Sequence, residues 1–173
     1  MAQPKHCKNQ YVMCRDEVCK IAEIKKMNLA GAGNRTYYIV EPINEEGSRT
    51  YIPVDFDGID SAMRVILSVD EINAIIEQSA QKELPWIKDA KERVSNFEQI
   101  LQSADRAKIL CLLKMLKAKK REVESEKKKL YMGDLRILER ARKMITEEFS
   151  FVLGLEKSEV EPYVSVRLDS SDA

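Results

Sequence analysis

Histidine is almost missing from this chain: His6 is the single imidazole in 173 residues. Nucleophilic catalysis by a Cys/His or Ser/His pair needs such a group, and His6 lies in a polar N-terminal stretch expected to be flexible, so no enzyme of that kind is expected. Cysteine is scarce too. Cys7, Cys14, Cys19 and Cys111 form no CxxC pair and three of them crowd the first 19 residues, which argues against a disulfide framework. Apolar runs fall far short of the roughly 20 residues needed to span a bilayer, and the opening residues lack the apolar block of a signal peptide. A cytoplasmic protein without a membrane partner is the expectation. No internal repeat recurs at a fixed period, which removes the solenoid classes.

What is present is enough apolar content, 44%, to bury the core of one medium or two small domains. Formal net charge is zero, yet its distribution is uneven. Residues 114–143 hold twelve Lys/Arg against five Asp/Glu, whereas residues 144–173 hold two against seven. A basic block of this kind is either a footprint for a polyanion, since clustered cations release counterions from phosphates, or the solvated face of a helix.

The first 67 residues read as strands and turns. Val18-Cys19-Lys20-Ile21-Ala22-Glu23-Ile24 alternates with an approximate period of two, and Tyr37-Tyr38-Ile39-Val40 follows the turn signal Gly31-Ala32-Gly33-Asn34. Thr50-Tyr51-Ile52-Pro53-Val54 follows a second turn, Asn44-Glu45-Glu46-Gly47-Ser48, and Pro53 belongs at an edge because it has no N–H to donate. Short strands with tight turns predict a small barrel whose core is Val18, Ile21, Ile24, Tyr38, Val40, Ile52 and Val54. Residues 56–67 form the junction. From Ser68 onward the period becomes helical. Ser68-Val69-Asp70-Glu71 is a capping box, a second helical segment begins near Trp86 and runs through Phe97 and Leu101, and Ser103 is the next expected N-cap. A long amphipathic helix carries Ile109, Leu112, Leu113, Leu116 and Val123. A last one starts near Asp134, turns Leu138, Ala141, Ile145, Phe149 and Val152 inward, and stops at Gly154. A short helical turn over residues 158–164 is set against Pro162. The expected organisation is α+β: residues 1–67 a β module, 68–168 a helical domain, and 169–173 a loose acidic tail.

Candidate chemistry is thin. His6, Cys7, Cys14 and Cys19 offer nitrogen and sulfur ligands, but their spacing matches no zinc knuckle, and buried strand cysteines are the structural alternative; no metal or cofactor is expected. Gly31-Ala32-Gly33 precedes a strand rather than a helix, so a dinucleotide loop fails on context. Asp55, Asp57 and Asp60 lack the glycine and terminal glutamate of an EF-hand loop and read as a solvated turn. Trp86, the sole tryptophan, follows Pro85 and is trailed by Lys88, Lys91 and Arg93. An apolar wedge beside cations is how a protein enters a minor groove and holds phosphates. A packed tryptophan at the start of a helix has the same sequence.

The ordered set Val18-Cys19-Lys20-Ile21, Tyr37-Tyr38-Ile39-Val40, Ile52-Pro53-Val54-Asp55, Met63-Arg64-Val65, the Trp86 segment and Arg136-Ile137-Leu138-Glu139-Arg140-Ala141-Arg142 resembles the CarD/CdnL family of bacterial transcription regulators along nearly the whole chain. The resemblance implies an SH3/Tudor-like N-terminal barrel that binds the RNA polymerase β subunit. It also implies a helical domain that contacts promoter DNA at the upstream edge of the bubble and modulates open-complex stability. The protein would be monomeric, cytoplasmic and nucleoid-associated, with no active site. Trp86 would be the minor-groove wedge, with Lys88, Lys91, Arg93, Arg136 and Arg140 as the cationic contacts.

Two departures bear on the β module. Glu17 stands where relatives carry a glycine, which predicts strain or a frayed first strand if positive φ is required there. Tyr51 stands where some relatives have an arginine, and Arg49, two positions earlier, would lie on the same face of a strand and take its place. Arg49 and Tyr51 are the expected polymerase contacts. Two other functions remain open from the residues alone: a helical protein-protein adaptor without DNA binding, and a redox or metal sensor built on the N-terminal cysteines.

Overall fold

A computed structural model describes residues 4–170 and shows an α+β protein of two compact units that divide between Ile66 and Leu67. No described helix is long and apolar enough to cross a membrane.

The first unit is a five-stranded antiparallel sheet. β1 (Tyr11–Cys14), β2 (Glu17–Asn28), β3 (Asn34–Pro42) and β4 (Thr50–Pro53) follow one another as a meander; a single helical turn, α1 (Ile59–Ala62), then leads into β5 (Met63–Val65). β5 returns to pair with β1, giving the order β4-β3-β2-β1-β5. The sheet is open, with β4 and β5 as its edges among the described residues. Residues 56–67, expected as a junction, thus supply a turn of helix and an edge strand. Pro53 lies on edge strand β4, where its missing N–H costs no ladder bond.

Glu17 is not strained. It pairs with Cys14 in extended strand, and the positive φ of the β1–β2 hairpin falls on Arg15 at 58°. The first strand is an ordered part of the ladder. The core on one face joins Val12, Cys14, Cys19, Ile21, Tyr38, Val40, Ile52, Val54, Ile59 and Met63, with Ile24 packed at its margin. Ile21 and Ile24 are three residues apart, which strict alternation would send to opposite faces. A bulge between Ile21 and Glu23 restores the phase, because Ala22 is the extra residue and both isoleucines then oppose core residues, Val40 and Tyr38. Val18 is buried on the other face, opposite Met13.

The second unit comprises α2 (Val69–Ala80), α3 (Ala90–Gln102), α4 (Arg106–Ser125), α5 (Met132–Leu153) and α6 (Lys157–Ser170). α2 begins at the Ser68 capping box: Glu71 N–H donates to Ser68 Oγ at 3.2 Å and Ser68 N–H donates to Glu71 Oε2 at 2.7 Å. The same bond holds the Glu71 carboxyl below its ordinary range. α3 starts four residues later than expected, at an Asp89 cap that accepts from Glu92 N–H at 2.8 Å. Trp86 therefore sits in the preceding loop.

Ser103 ends α3 instead of capping α4. Ala104 takes a left-handed φ of 55°, making a sharp joint, and the cap moves to Asp105, which accepts from Lys108 N–H at 3.1 Å. α5 stops at Gly154 with φ 64°, and Leu155 N–H reaches back to Ser150 O at 3.1 Å. The last helix is longer than the expected turn, running to Ser170 with Pro162 at its sixth residue, where the ring removes the N–H that would reach Ser158. The tail expected at 169–173 overlaps the end of this helix, and residues 171–173 lie outside the described range.

Ile72, Ile76, Phe97, Leu101, Ile109, Leu112, Leu116, Leu138, Ile145 and Phe149 form the helical core. Two charged pairs are sealed into it. Arg106 Nε donates to Glu148 Oε2 at 2.8 Å, and the other carboxylate oxygen accepts from Leu67 N–H at 3.1 Å, so one acid ties α4, α5 and the entry of the chain into this unit. Arg93 forms a two-pronged bond to Asp134, at 3.0 and 2.7 Å, joining α3 to the first turn of α5.

Candidate nucleic-acid interface

The loop 82–89 closes on the Arg93 guanidinium. Its Nη1 donates to the carbonyls of Ile87, at 2.8 Å, and Lys88, at 3.1 Å, while Nε and Nη2 take the two oxygens of Asp134. Trp86 lies on this assembly, its ring centroid 4.3 Å from Arg93 Cζ, 5.2 Å from Lys119 Nζ and 6.4 Å from the Phe97 ring. The cations meet the negative face of the indole π-system, and Phe97 anchors the ring to the core. The indole is half-buried: it packs against the helical core and also lines an open cleft of about 420 Å³ with Leu84, Met115, the cations Lys114 and Lys119 and the acids Glu83 and Glu122. It is therefore neither free nor sealed.

The expected cations divide into three groups. Lys88 and Lys91 are exposed, one in the loop two residues after Trp86 and one in the first turn of α3. Arg93 is 5% exposed with its donors engaged, so it does not face solvent and is corrected from a surface phosphate contact to the residue that positions Trp86. Arg136 and Arg140 are exposed one turn apart on α5, the former two residues beyond Asp134.

Lys119 and Asp134 are the neighbours that sequence reading missed. Asp134 was legible only as a helix start, because its partner is 41 residues away. Lys119 belongs to the basic block. Much of that block is internally paired: Lys117 with Glu161 at 2.6 Å, Lys119 with Glu122 at 2.9 Å, Arg142 with Glu139 and Glu161. Glu161 is accordingly shared, and Lys117 and Arg142 hold its carboxyl below the ordinary range against the opposing effect of burial.

In the β unit, Tyr51 projects from edge strand β4 on the face opposite Ile52 and the core, and is 41% exposed. Arg49 lies one residue before the strand. It reaches back to Glu41 on β3, with Nε to Oε1 2.8 Å, as an exposed pair.

Two of the three carboxylates of the acidic turn have cationic partners. Asp55 is bonded to Arg35 at 2.8 Å, which holds its carboxyl low, and Asp60 is bonded to Lys5 at 2.9 Å. Cys14 and Cys19 are buried free thiols on the core face, while a hydrogen bond to Cys14 and then burial raise the Cys19 thiol. Among the described residues no group of three or more His, Cys, Asp or Glu side chains could hold a metal ion. His6 is buried rather than flexible. Its ring stands edge-on to Tyr38 at a centroid distance of 5.7 Å, its backbone N–H donates to the Tyr38 hydroxyl at 3.2 Å, and neither ring nitrogen makes a well-aligned hydrogen bond among the described residues. Burial lowers its pKa. No family model matches this chain, and no curated protein matches it.

Proposed function

We propose that this chain is a transcription regulator of the CarD/CdnL type, which docks on the RNA polymerase β subunit through its β unit and contacts promoter DNA at the upstream edge of the bubble through its helical unit. The observation that carries the reading is the state of Trp86. A large indole is held by Arg93 and Phe97, yet it remains partly open, and Lys88 and Lys91, two and five residues further along the chain, are exposed. A pre-positioned wedge loses little side-chain freedom when it enters a distorted minor groove, and flanking lysines supply the phosphate contacts. Arg136 and Arg140 would extend those contacts along α5.

The strand order supports an SH3/Tudor-like reading of the β unit, since β5 returns to β1 after one helical turn and the bulge at Ala22 lets a long strand bend. Its polymerase face would be the β4 edge with Tyr51 and Arg49. The mechanism requires no catalytic step. A protein that binds melted promoter better than closed promoter shifts the equilibrium by its differential affinity, and each tenfold needs only about 1.4 kcal/mol. Tethering to polymerase raises the local concentration of a weak DNA contact, so a monomer acting in the nucleoid suffices.

Two measurements on the full chain test the reading. Polymerase capture should be retained by Trp86→Ala and lost by Arg49→Glu combined with Tyr51→Ala. Promoter open complexes formed with Trp86→Ala should dissociate about tenfold faster than with wild type, as expected for the loss of a wedge contact. Equal lifetimes with wild-type and mutant protein refute the DNA role, and failure of the wild-type chain to retain polymerase refutes the tether.

A further inference from the structure

The link between α4 and α5 carries the most exposed aromatic of the helical unit, and the proposal above leaves it without a role. α4 ends in a Schellman motif: Lys127 takes a left-handed φ of 59°, its N–H donates to Glu124 O at 3.0 Å, and Lys128 N–H donates to Val123 O at 2.9 Å. The tip is thereby held by backbone bonds. Tyr131 and Met132 follow, 54% and 61% exposed. The Tyr131 ring is not loose. A Cβ placed on Gly133 would stand 2.6 Å from Tyr131 Cε1 and 2.8 Å from Val94 Cγ2, so glycine is what lets the ring lie against the start of α5 and the side of α3.

The chain leading up to this ring is cationic, with Lys127, Lys128 and Lys129. Lys127 and Lys129 are exposed and make no ion pair among the described residues, and Lys128 forms only an exposed bridge with Glu126, at 2.7 Å. Arg136 is exposed in the second turn of α5. The acids close by are committed: Glu126 to Lys128 and Glu124 to Lys120. A fixed, open aromatic face beside a methionine and several available cations matches single-stranded nucleic acid, whose bases offer π-faces and whose phosphates draw lysine. Stacking of the ring on a base is what separates this reading from an acidic protein docking on the lysines.

We infer that the α4–α5 tip is a second nucleic-acid contact, in which Tyr131 stacks on an unpaired base and Lys127 and Lys129 neutralise the flanking phosphates. The inference rests on the helical unit being the DNA-binding half and extends it from the wedge to a site for an already melted strand. Lys119, beside Trp86, lies about 9 Å along the α4 axis from Ser125, the last residue of that helix, two positions before Lys127. One chain can then hold the edge of a bubble with Trp86 and a released strand with Tyr131.

The test uses the full chain and a short fluorescent oligothymidylate, read by anisotropy over a salt series, beside a duplex with a central bubble. Wild type should bind the oligonucleotide, Tyr131→Ala should weaken that binding about tenfold, and Tyr131→Phe should stay within about twofold. Lys127→Ala with Lys129→Ala should make the salt slope shallower by about 1.4. Circular dichroism and the melting temperature establish that each variant is folded, and Tyr131→Phe preserves the ring if Tyr131→Ala does not fold. Trp86→Ala should leave oligothymidylate binding in place. Wild-type binding to the bubble but not to the oligonucleotide overturns the tip and spares the wedge, and so does binding to which Tyr131 and the lysines are indifferent. Binding to neither probe overturns both.

Discussion

The two units bury polar groups in opposite ways. The helical unit seals in two arginines, and each has a carboxylate within 3 Å, Asp134 for Arg93 and Glu148 for Arg106. The β unit seals in an imidazole with no carboxylate bonded to its ring nitrogens among the described residues. Buried charge is tolerable only with a partner, whereas a neutral imidazole pays a smaller desolvation penalty and stays neutral because burial lowers its pKa. The difference teaches where each unit is vulnerable: the helices to loss of a partner, the sheet to acid. The helical pairs also differ from each other, since Glu148 joins core elements and Asp134 fixes the cation on which Trp86 rests.

The sharpest way to break the comparison is to remove one carboxylate. Glu148→Gln leaves Arg106 buried without its counter-charge and should cost about 3–5 kcal/mol of unfolding free energy, measured by denaturant titration. The native-state emission of Trp86 should not move. A loss within experimental error of zero would mean that solvent reaches the site.

Asp134→Asn should destabilise less, by about 2 kcal/mol, because the Ile87 and Lys88 carbonyls still accept from Arg93. Here the emission of Trp86 should change, since the guanidinium under the ring is no longer held. If the two variants alter Trp86 equally, the distinction between a core pair and a positioning pair fails.

The smallest effect belongs to the β unit. The His6 pKa in the folded state lies below the unfolded value of about 6.5, so above that pH both states are neutral. As the pH falls below it, the unfolded chain takes up the proton first, and stability is lost down through the folded value. The wild-type denaturation midpoint should therefore fall between pH about 7.5 and about 5 by more than that of His6→Leu. Parallel declines would assign the pH dependence to other groups.

Local chemistry was legible in the sequence and long-range chemistry was not. The capping box at Ser68 and the stop at Gly154 stand where the residues placed them, because each depends on neighbours within a turn. The cap of α4 was displaced from Ser103 to Asp105 by one left-handed alanine, a conformation that alanine does not advertise. The fifth strand, three residues long, carries too little alternation to be read. The Ala22 bulge was hidden in an approximate period of two, and Glu17 was misjudged because the hairpin places its positive φ on Arg15. At the candidate interface Trp86 was found by rarity. Its support was invisible, because Arg93 looked like one more surface cation until Asp134, 41 residues away, arrived beneath it.

The central claim is that the half-open indole touches distorted DNA. Trp86 is the sole tryptophan, so its fluorescence reports that contact without a label. Titrating the full chain with a bubble-containing duplex should quench and shift Trp86 emission with the same midpoint as binding measured by anisotropy, and a fully paired duplex of the same sequence should do so at about tenfold higher concentration. Binding to both duplexes with unchanged emission would contradict the account, because it would place the DNA elsewhere on the protein.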